Sequence, residues 1–161
     1  NGKIAAVGAN VSIPNGVQLT ASHYATFPDS PINGKQVATA AGAVVAFDCD
    51  YIPTADHVRT RPPVVNNIHI SNVRVGNVTK DGKTGSCFQA IMLLGPVASD
   101  YNGPQPAPPV VPITDVTITD CDFGAPTNAA EPWFVYNVKG VTLKNVTIAG
   151  KVYDTVLNAP A

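Results

Sequence analysis

Residues 66–78 read NNIHISNVRVGNV, and residues 139–150 read KGVTLKNVTIAG. Aligned on their apolar positions, Ile68, Ile70, Val73 and Val75 fall on Val141, Leu143, Val146 and Ile148, and Asn72 falls on Asn145. A third copy, TDVTITDCDFG at residues 114–124, puts Val116, Ile118, Cys121 and Phe123 in the apolar slots and Asp120 in the Asn slot. A sentence written three times points to a stacked architecture, in which each copy buries its apolar face against the next.

Within each copy, apolar and polar residues alternate, as on a strand whose successive side chains point to opposite faces. The phase then shifts: Val73 follows Ile70 by three residues, so the chain turns at Ser71 and Asn72 and starts a second short strand. Asn and Asp tolerate the left-handed dihedrals that such a corner needs. Other β-like runs lie between the copies: AVVAFDCDY at 43–51, CFQAIMLLG at 87–95 and PWFVYNV at 132–138. From Val116 to Val141 is 25 residues; from Ile68 to Val116 is 48, and removing the 18-residue stretch 95–112 leaves 30. Short strands repeating at this interval, with Asn or Asp at one phase and an insertion at one turn, predict an all-β fold, a coiled parallel β-solenoid. A β-sandwich also shows many short strands, but gives no reason for Asn or Asp to recur at one phase.

The bulk numbers agree. The chain has 161 residues, enough for one domain with a substantial core. Pro 15 and Gly 13 make 28 residues, about 17% against roughly 12% in average usage, which disfavours long helices. Lys+Arg 10 against Asp+Glu 11 leaves a net charge of -1, with no basic patch for nucleic acid. No apolar run approaches the roughly 18 residues of a membrane span, and no secretory leader pattern opens the chain. Cys49, Cys87 and Cys121 show no C-x-x-C spacing, which argues against zinc. Cys49 and Cys121 read as small apolar core fillers, and a disulfide from Cys87 to either is open. Asn10-Val11-Ser12, Asn77-Val78-Thr79 and Asn145-Val146-Thr147 fit the glycosylation pattern, which corner chemistry also produces.

The segments PPVVNNIHISNVRVGNV, FQAIMLLG, ITDVTITDCDFG and VKGVTLKNVTIAGKVYDTVL resemble the C-terminal rungs of polygalacturonases, glycoside hydrolase family 28. AFDCDY followed by IPTADHVRTRPPVVNNIHISNV looks most like the exo-acting bacterial type. The resemblance covers residues 43 to about 157, leaves 1–42 as a weakly patterned segment or rung, and treats 158–161 as a tail. It implies the C-terminal part of a right-handed parallel β-helix. It also implies a secreted or periplasmic, cofactor-free enzyme that hydrolyses α-1,4-galacturonosyl linkages with inversion. Such chemistry needs one acid to protonate the leaving oxygen and a carboxylate about 6.5–9.5 Å away to activate water. The family's N-T-D, D-D, G-H-G and R-I-K signatures do not occur in these 161 residues. The catalytic carboxylates are therefore expected outside this chain, in an upstream segment of the same protein, which would be its partner alongside polygalacturonate or a related pectic oligosaccharide.

Among the residues present, Tyr51 matches the family position where a strand-end tyrosine lies beside the substrate cleft. Its ring can stack on a sugar and its hydroxyl can donate a hydrogen bond. Arg59 and Arg61 can hold a uronate carboxylate in bidentate fashion, although loop arginines are usually just solvated. Asp48 and Asp50 lie two apart on a strand, with α-carbons about 6.7 Å apart, near the inverting distance. Asp120 and Asp122 repeat the same spelling within a rung, which favours a structural role for such pairs. His57 is a weaker loop candidate, His69 should face outward between Ile68 and Ile70, and Trp133 should close an end of the core. The competing expectation is a non-catalytic β-solenoid: an adhesin, a fibre or a glycan-binding module.

Overall fold

The computed structural model describes residues 42–49, 64–80, 82–96 and 110–160. Among these described residues nine strands follow one another: β1 (Ala43–Asp48), β2 (Ile68–Ser71), β3 (Val78–Lys80), β4 (Lys83–Gly85), β5 (Gln89–Leu94), β6 (Ile113–Asp122), β7 (Trp133–Tyr136), β8 (Val138–Ile148) and β9 (Lys151–Ala159). There is no α-helix among the described residues. The fold is all-β, with two sheets ordered β1-β5-β7 and β2-β6-β8-β9, parallel throughout except for the antiparallel β9, and a small antiparallel hairpin, β3-β4.

The threefold repeat becomes a threefold register. Ile68 pairs with Val116 and Val116 with Val141; Ile70 pairs with Ile118 and Ile118 with Leu143. Beyond the corner, Cys121 pairs with Val146, and Arg74 bridges to Asp122. Apolar positions therefore form columns running through the sheet. Val116, Ile118, Phe123 and Val141 in those columns are 0% exposed. They face Val45, Ile91 and Leu93 of the other sheet in one core. Fully burying side chains of this size contributes roughly 1.5–3 kcal/mol each.

The corners are left-handed, as Asn and Asp allow: φ is 58° at Asn72, 54° at Asp120 and 52° at Asn145. They do not split the chain into separate strands, however. β6 and β8 run through the corner as continuous strands of 10 and 11 residues, because the neighbouring rung bends at the same place and pairing resumes beyond it. A second left-handed column lies five residues earlier, at Asn67 (φ 55°), Asp115 (φ 52°) and Gly140 (φ 69°).

β5 is buried along its whole length. Ile91 and Leu93 enter the main core, while Met92 and Leu94 join Phe134 in a second cluster on the opposite face of the sheet. A strand covered on both faces reads as an unbroken apolar run, which is what AIMLL at residues 90–94 shows. Residues 151–157, counted with the rungs from the sequence, do not add a parallel rung. The chain reverses at Ala149 (φ 52°) and Gly150 (φ 78°), two consecutive left-handed residues of the kind that make tight hairpins. β9 then pairs antiparallel along β8, Leu157 opposite Val141 and Tyr153 opposite Val146.

Candidate functional site

The parallel strands of the β1-β5-β7 sheet end in register, with Asp48 beside Leu94 and Leu94 beside Tyr136. The next residues continue the ladder: the Cys49 amide donates to the Leu94 carbonyl, and the Gly95 amide to the Tyr136 carbonyl, both at 2.8 Å. From this common end, three connections lead to the other sheet. The first spans residues 49–67 and the second 95–112, whereas Asn137 alone joins β7 to β8.

That one-residue corner, buried and left-handed at φ 49° on Asn137, is held by both its backbone groups and its side-chain amide. Its amide donates to the Pro160 carbonyl at 3.3 Å, its own carbonyl accepts from the Ile113 amide at 3.0 Å, and Nδ2 donates to the Pro96 carbonyl at 3.1 Å. The close approach demands glycine at position 95, where a Cβ would collide with the carbonyl oxygens of Asn137 and Tyr136. The long connections thus depart from a rigid floor.

Tyr51, Arg59 and Arg61 belong to the first long connection, and with Asp50 and His57 they lie outside the described residues. Asp48 ends β1, exposed. Three further carboxylates bond at or beside the corners. Asp122 Oδ1 accepts from the Gly124 amide at 3.0 Å, closing a local turn, and Asp154 Oδ1 accepts from the Asn145 amide at 2.8 Å. Asp120 Oδ1 accepts from Asn145 Nδ2 at 2.9 Å, so that corner side chains of adjacent rungs bond to each other. His69 is exposed and lies 3.2 Å from Asn67 Oδ1 through Nε2. Asn77 Oδ1 accepts from the Ala125 amide at 2.8 Å. The asparagines of both described sequons are therefore engaged in hydrogen bonds to neighbouring chain segments, Asn145 at a corner and Asn77 beside Gly124 and Ala125.

Cys49, Cys87 and Cys121 form no disulfide among the described residues. Burial pushes the Cys87 thiol up to about 11 from its ordinary 9.0, partly offset by its contact with the Ser86 hydroxyl. Burial raises Cys121 as well. Thiols held protonated in this way are packing groups, not nucleophiles. Among the described residues no group of three His, Cys, Asp or Glu side chains could hold a metal ion, and no helix is long and apolar enough to cross a membrane. Trp133 packs edge-on against Tyr153, ring centroids 4.9 Å apart, with Lys151 Nζ 5.1 Å from the Tyr153 ring.

Sequence reading missed the second left-handed column, because Asn67, Asp115 and Gly140 are three different residue types. The constant interval of five to the next column was the available signal. It also missed Arg74, which reaches across to the Asp120 carbonyl and ties two corners together. No family model matches the chain, and no curated protein or solved structure matches it.

Proposed function

We propose that this chain is the C-terminal portion of a polygalacturonase-like glycoside hydrolase, built as rungs of a right-handed parallel β-helix and secreted or periplasmic. The observation that carries the reading is the stack itself. Three rungs lie in parallel register, with left-handed residues at two corner columns and long connections departing from one end of a sheet. A right-handed course is the one that parallel crossovers take almost without exception. The sequence resemblance supplies the substrate class, a polygalacturonate or related pectic oligosaccharide. Tyr51 would stack on a sugar ring, and Arg59 and Arg61 would pair with uronate carboxylates.

The chain is expected to bind such an oligosaccharide without cleaving it, the catalytic carboxylates lying in an upstream segment. A titration with trigalacturonate, followed by NMR or calorimetry, should show binding that weakens about tenfold or more in Arg61→Ala. Absence of binding to the wild-type chain, or binding indifferent to Tyr51→Ala, Arg59→Ala and Arg61→Ala, would sink this reading. A reducing-end assay on the same chain should show no turnover; turnover abolished by Asp48→Asn would favour the carboxylate pair Asp48 and Asp50 as a catalytic site.

One observation favours the second reading, a glycan-binding or adhesive solenoid with no catalytic partner. Asp120, Asp122 and Asp154 all commit carboxylate oxygens to corner bonds. Turnover by the chain together with its upstream segment distinguishes the two.

A further inference from the structure

The apolar columns do not end alike. Val116, Ile118, Val141 and Leu143 are at most 1% exposed, whereas Ile68 and Ile70, the members of the same columns on β2, are only partly buried. Val64, just before β2, is 59% exposed. Among the described residues no strand pairs with the outer side of β2, which ends its sheet. The backbone there is set to continue the stack. The Asn72 amide donates to the Thr119 carbonyl in a register that pairs Ser71 with Thr119. Successive residues point their amides to opposite sides of a strand. The amides of His69 and Ser71 therefore point away from β6, toward where another rung would lie.

The two left-handed columns define what such a rung looks like. A corner-capable residue (Asn67, Asp115 or Gly140) is followed by apolar residues one and three positions on, and by Asn or Asp five positions on. Apolar residues then resume. Residues 10–19, NVSIPNGVQL, fit this template: Asn10 takes the first corner, Val11 and Ile13 the inward slots, and Asn15 the second corner five residues later. Val17 and Leu19 resume the inward face after one extra residue, Gly16, at the corner, where a bulge is accommodated and glycine tolerates any dihedral.

Pro14 sets the orientation. It stands at the position of Ser71 and Thr119, whose amides face the preceding rung, not the following one. A proline there removes an N–H from the outer edge alone, the place where a strand tolerates it. All bonds toward β2 would remain available from Val11, Ile13 and Asn15.

We infer that the outer edge of β2 is a docking surface for residues 10–19 of the same chain, which add to it as a parallel rung in the register Val11–Ile68, Ile13–Ile70 and Asn15–Asn72. This goes beyond the polygalacturonase reading and holds for an enzyme or a binding module alike. Asn15 then stacks on Asn72 as Asn145 does on Asp120. The rung buries Ile68 and Ile70 as β6 and β8 bury their counterparts.

The test uses the full chain. Ser12 and His69 would lie side by side on the outer face, with α-carbons about 4.8 Å apart, within disulfide range. Ser12 and Ser71 would be about 8 Å apart, beyond it. Under mild oxidation the Ser12→Cys, His69→Cys chain should close an intramolecular disulfide as a monomer, found by peptide mapping, and the Ser12→Cys, Ser71→Cys chain should not. Equal crosslinking of both, no crosslinking of the first, or crosslinks only between molecules would overturn the inference; the last outcome would give the edge to a second copy. Hydrogen exchange supplies an independent reading. The His69 and Ser71 amides should exchange slowly in the wild-type chain and at least about tenfold faster in Val11→Asp, while those of β8 stay protected. Fast exchange at both amides in the wild type would count against docking.

Discussion

The two ends of the described stack solve one problem differently. At the end of β8, the chain doubles back through Ala149 and Gly150 and lays β9 antiparallel along the open edge. Trp133 and Tyr153 meet edge to face there, with Lys151 against the tyrosine ring, and Val146 and Ile148 beneath are at most 1% exposed. At the β2 end, Ile68 and Ile70 remain half-covered and two amides face outward. A reversed strand breaks the parallel repeat, because a further rung running in the direction of β8 would have to pair with it antiparallel. An unreversed, half-covered strand leaves the stack ready to go on.

The comparison can be broken by truncating the core along its length. Phe123→Ala, in the fully buried middle, should cost about 4 kcal/mol in urea unfolding. Trp133→Ala at the closed end should cost about 3 kcal/mol, and a loss below that of Ile70→Ala would mean that the aromatic pair does not seal the core. Ile70→Ala, at the end contacted from one side, should cost about 2 kcal/mol, the low end of the range for such truncations. If Ile70→Ala equals Ile118→Ala, the two ends are equally covered and the contrast fails.

Corner substitutions sharpen the contrast at smaller scale. Asn72→Ala should cost about 1 kcal/mol through left-handed strand strain, and Asn72→Gly close to nothing, since glycine takes φ near 58° freely. Asn145→Ala should cost more than Asn72→Ala, because Asn145 also bonds Asp120. Thermal scans of the set would test this order, and equal losses from Asn72→Ala and Asn72→Gly would remove the dihedral explanation. The smallest effect is absent at neutral pH. Cys87 has its protonated form favoured in the folded chain, raised to about 11 from 9.0. The unfolded chain therefore loses that proton first, and stability falls as pH rises from about 9 through about 11. In Cys87→Ala this part of the alkaline loss should disappear; an unchanged pH profile would show that the thiol is not held protonated by folding.

The column Ile68–Val116–Val141 was legible because alternation and the recurring Asn or Asp fix both face and phase, and phase is what sets register. The column Asn67–Asp115–Gly140 was not, because a left-handed dihedral is a backbone requirement that three unlike residues can meet, and no apolar pattern marks it. Continuous strands through the corner were hidden for a related reason: pairing across a bend depends on the neighbouring rung bending too, which local alternation does not report. The sequence counts residues 151–157 with the rungs because their alternation fits a strand, whereas the reversed direction of β9 rests on the pair Ala149–Gly150. The candidate ligand contacts Tyr51, Arg59 and Arg61 stand on resemblance and side-chain chemistry, since an irregular connection carries no periodicity from which geometry follows.

The reversal at Ala149 and Gly150 also bears on the order in which the molecule assembles. The β8–β9 hairpin closes a two-residue turn, whereas joining β6 to β8 brings together residues 25 apart and joining β2 to β6 residues 48 apart. Chain closure becomes costlier with separation, and local contacts form fastest. We therefore expect the hairpin to form first and β6 and then β2 to add to it, so that assembly runs against the direction in which a ribosome delivers these strands. Pulse-labelled exchange during refolding would reveal the order, with the Leu143 amide, which faces β9, protected before that of Ile118, which faces β8, and Ile118 before Ile70, which faces β6; the opposite order would mean that the stack grows from its earlier rungs.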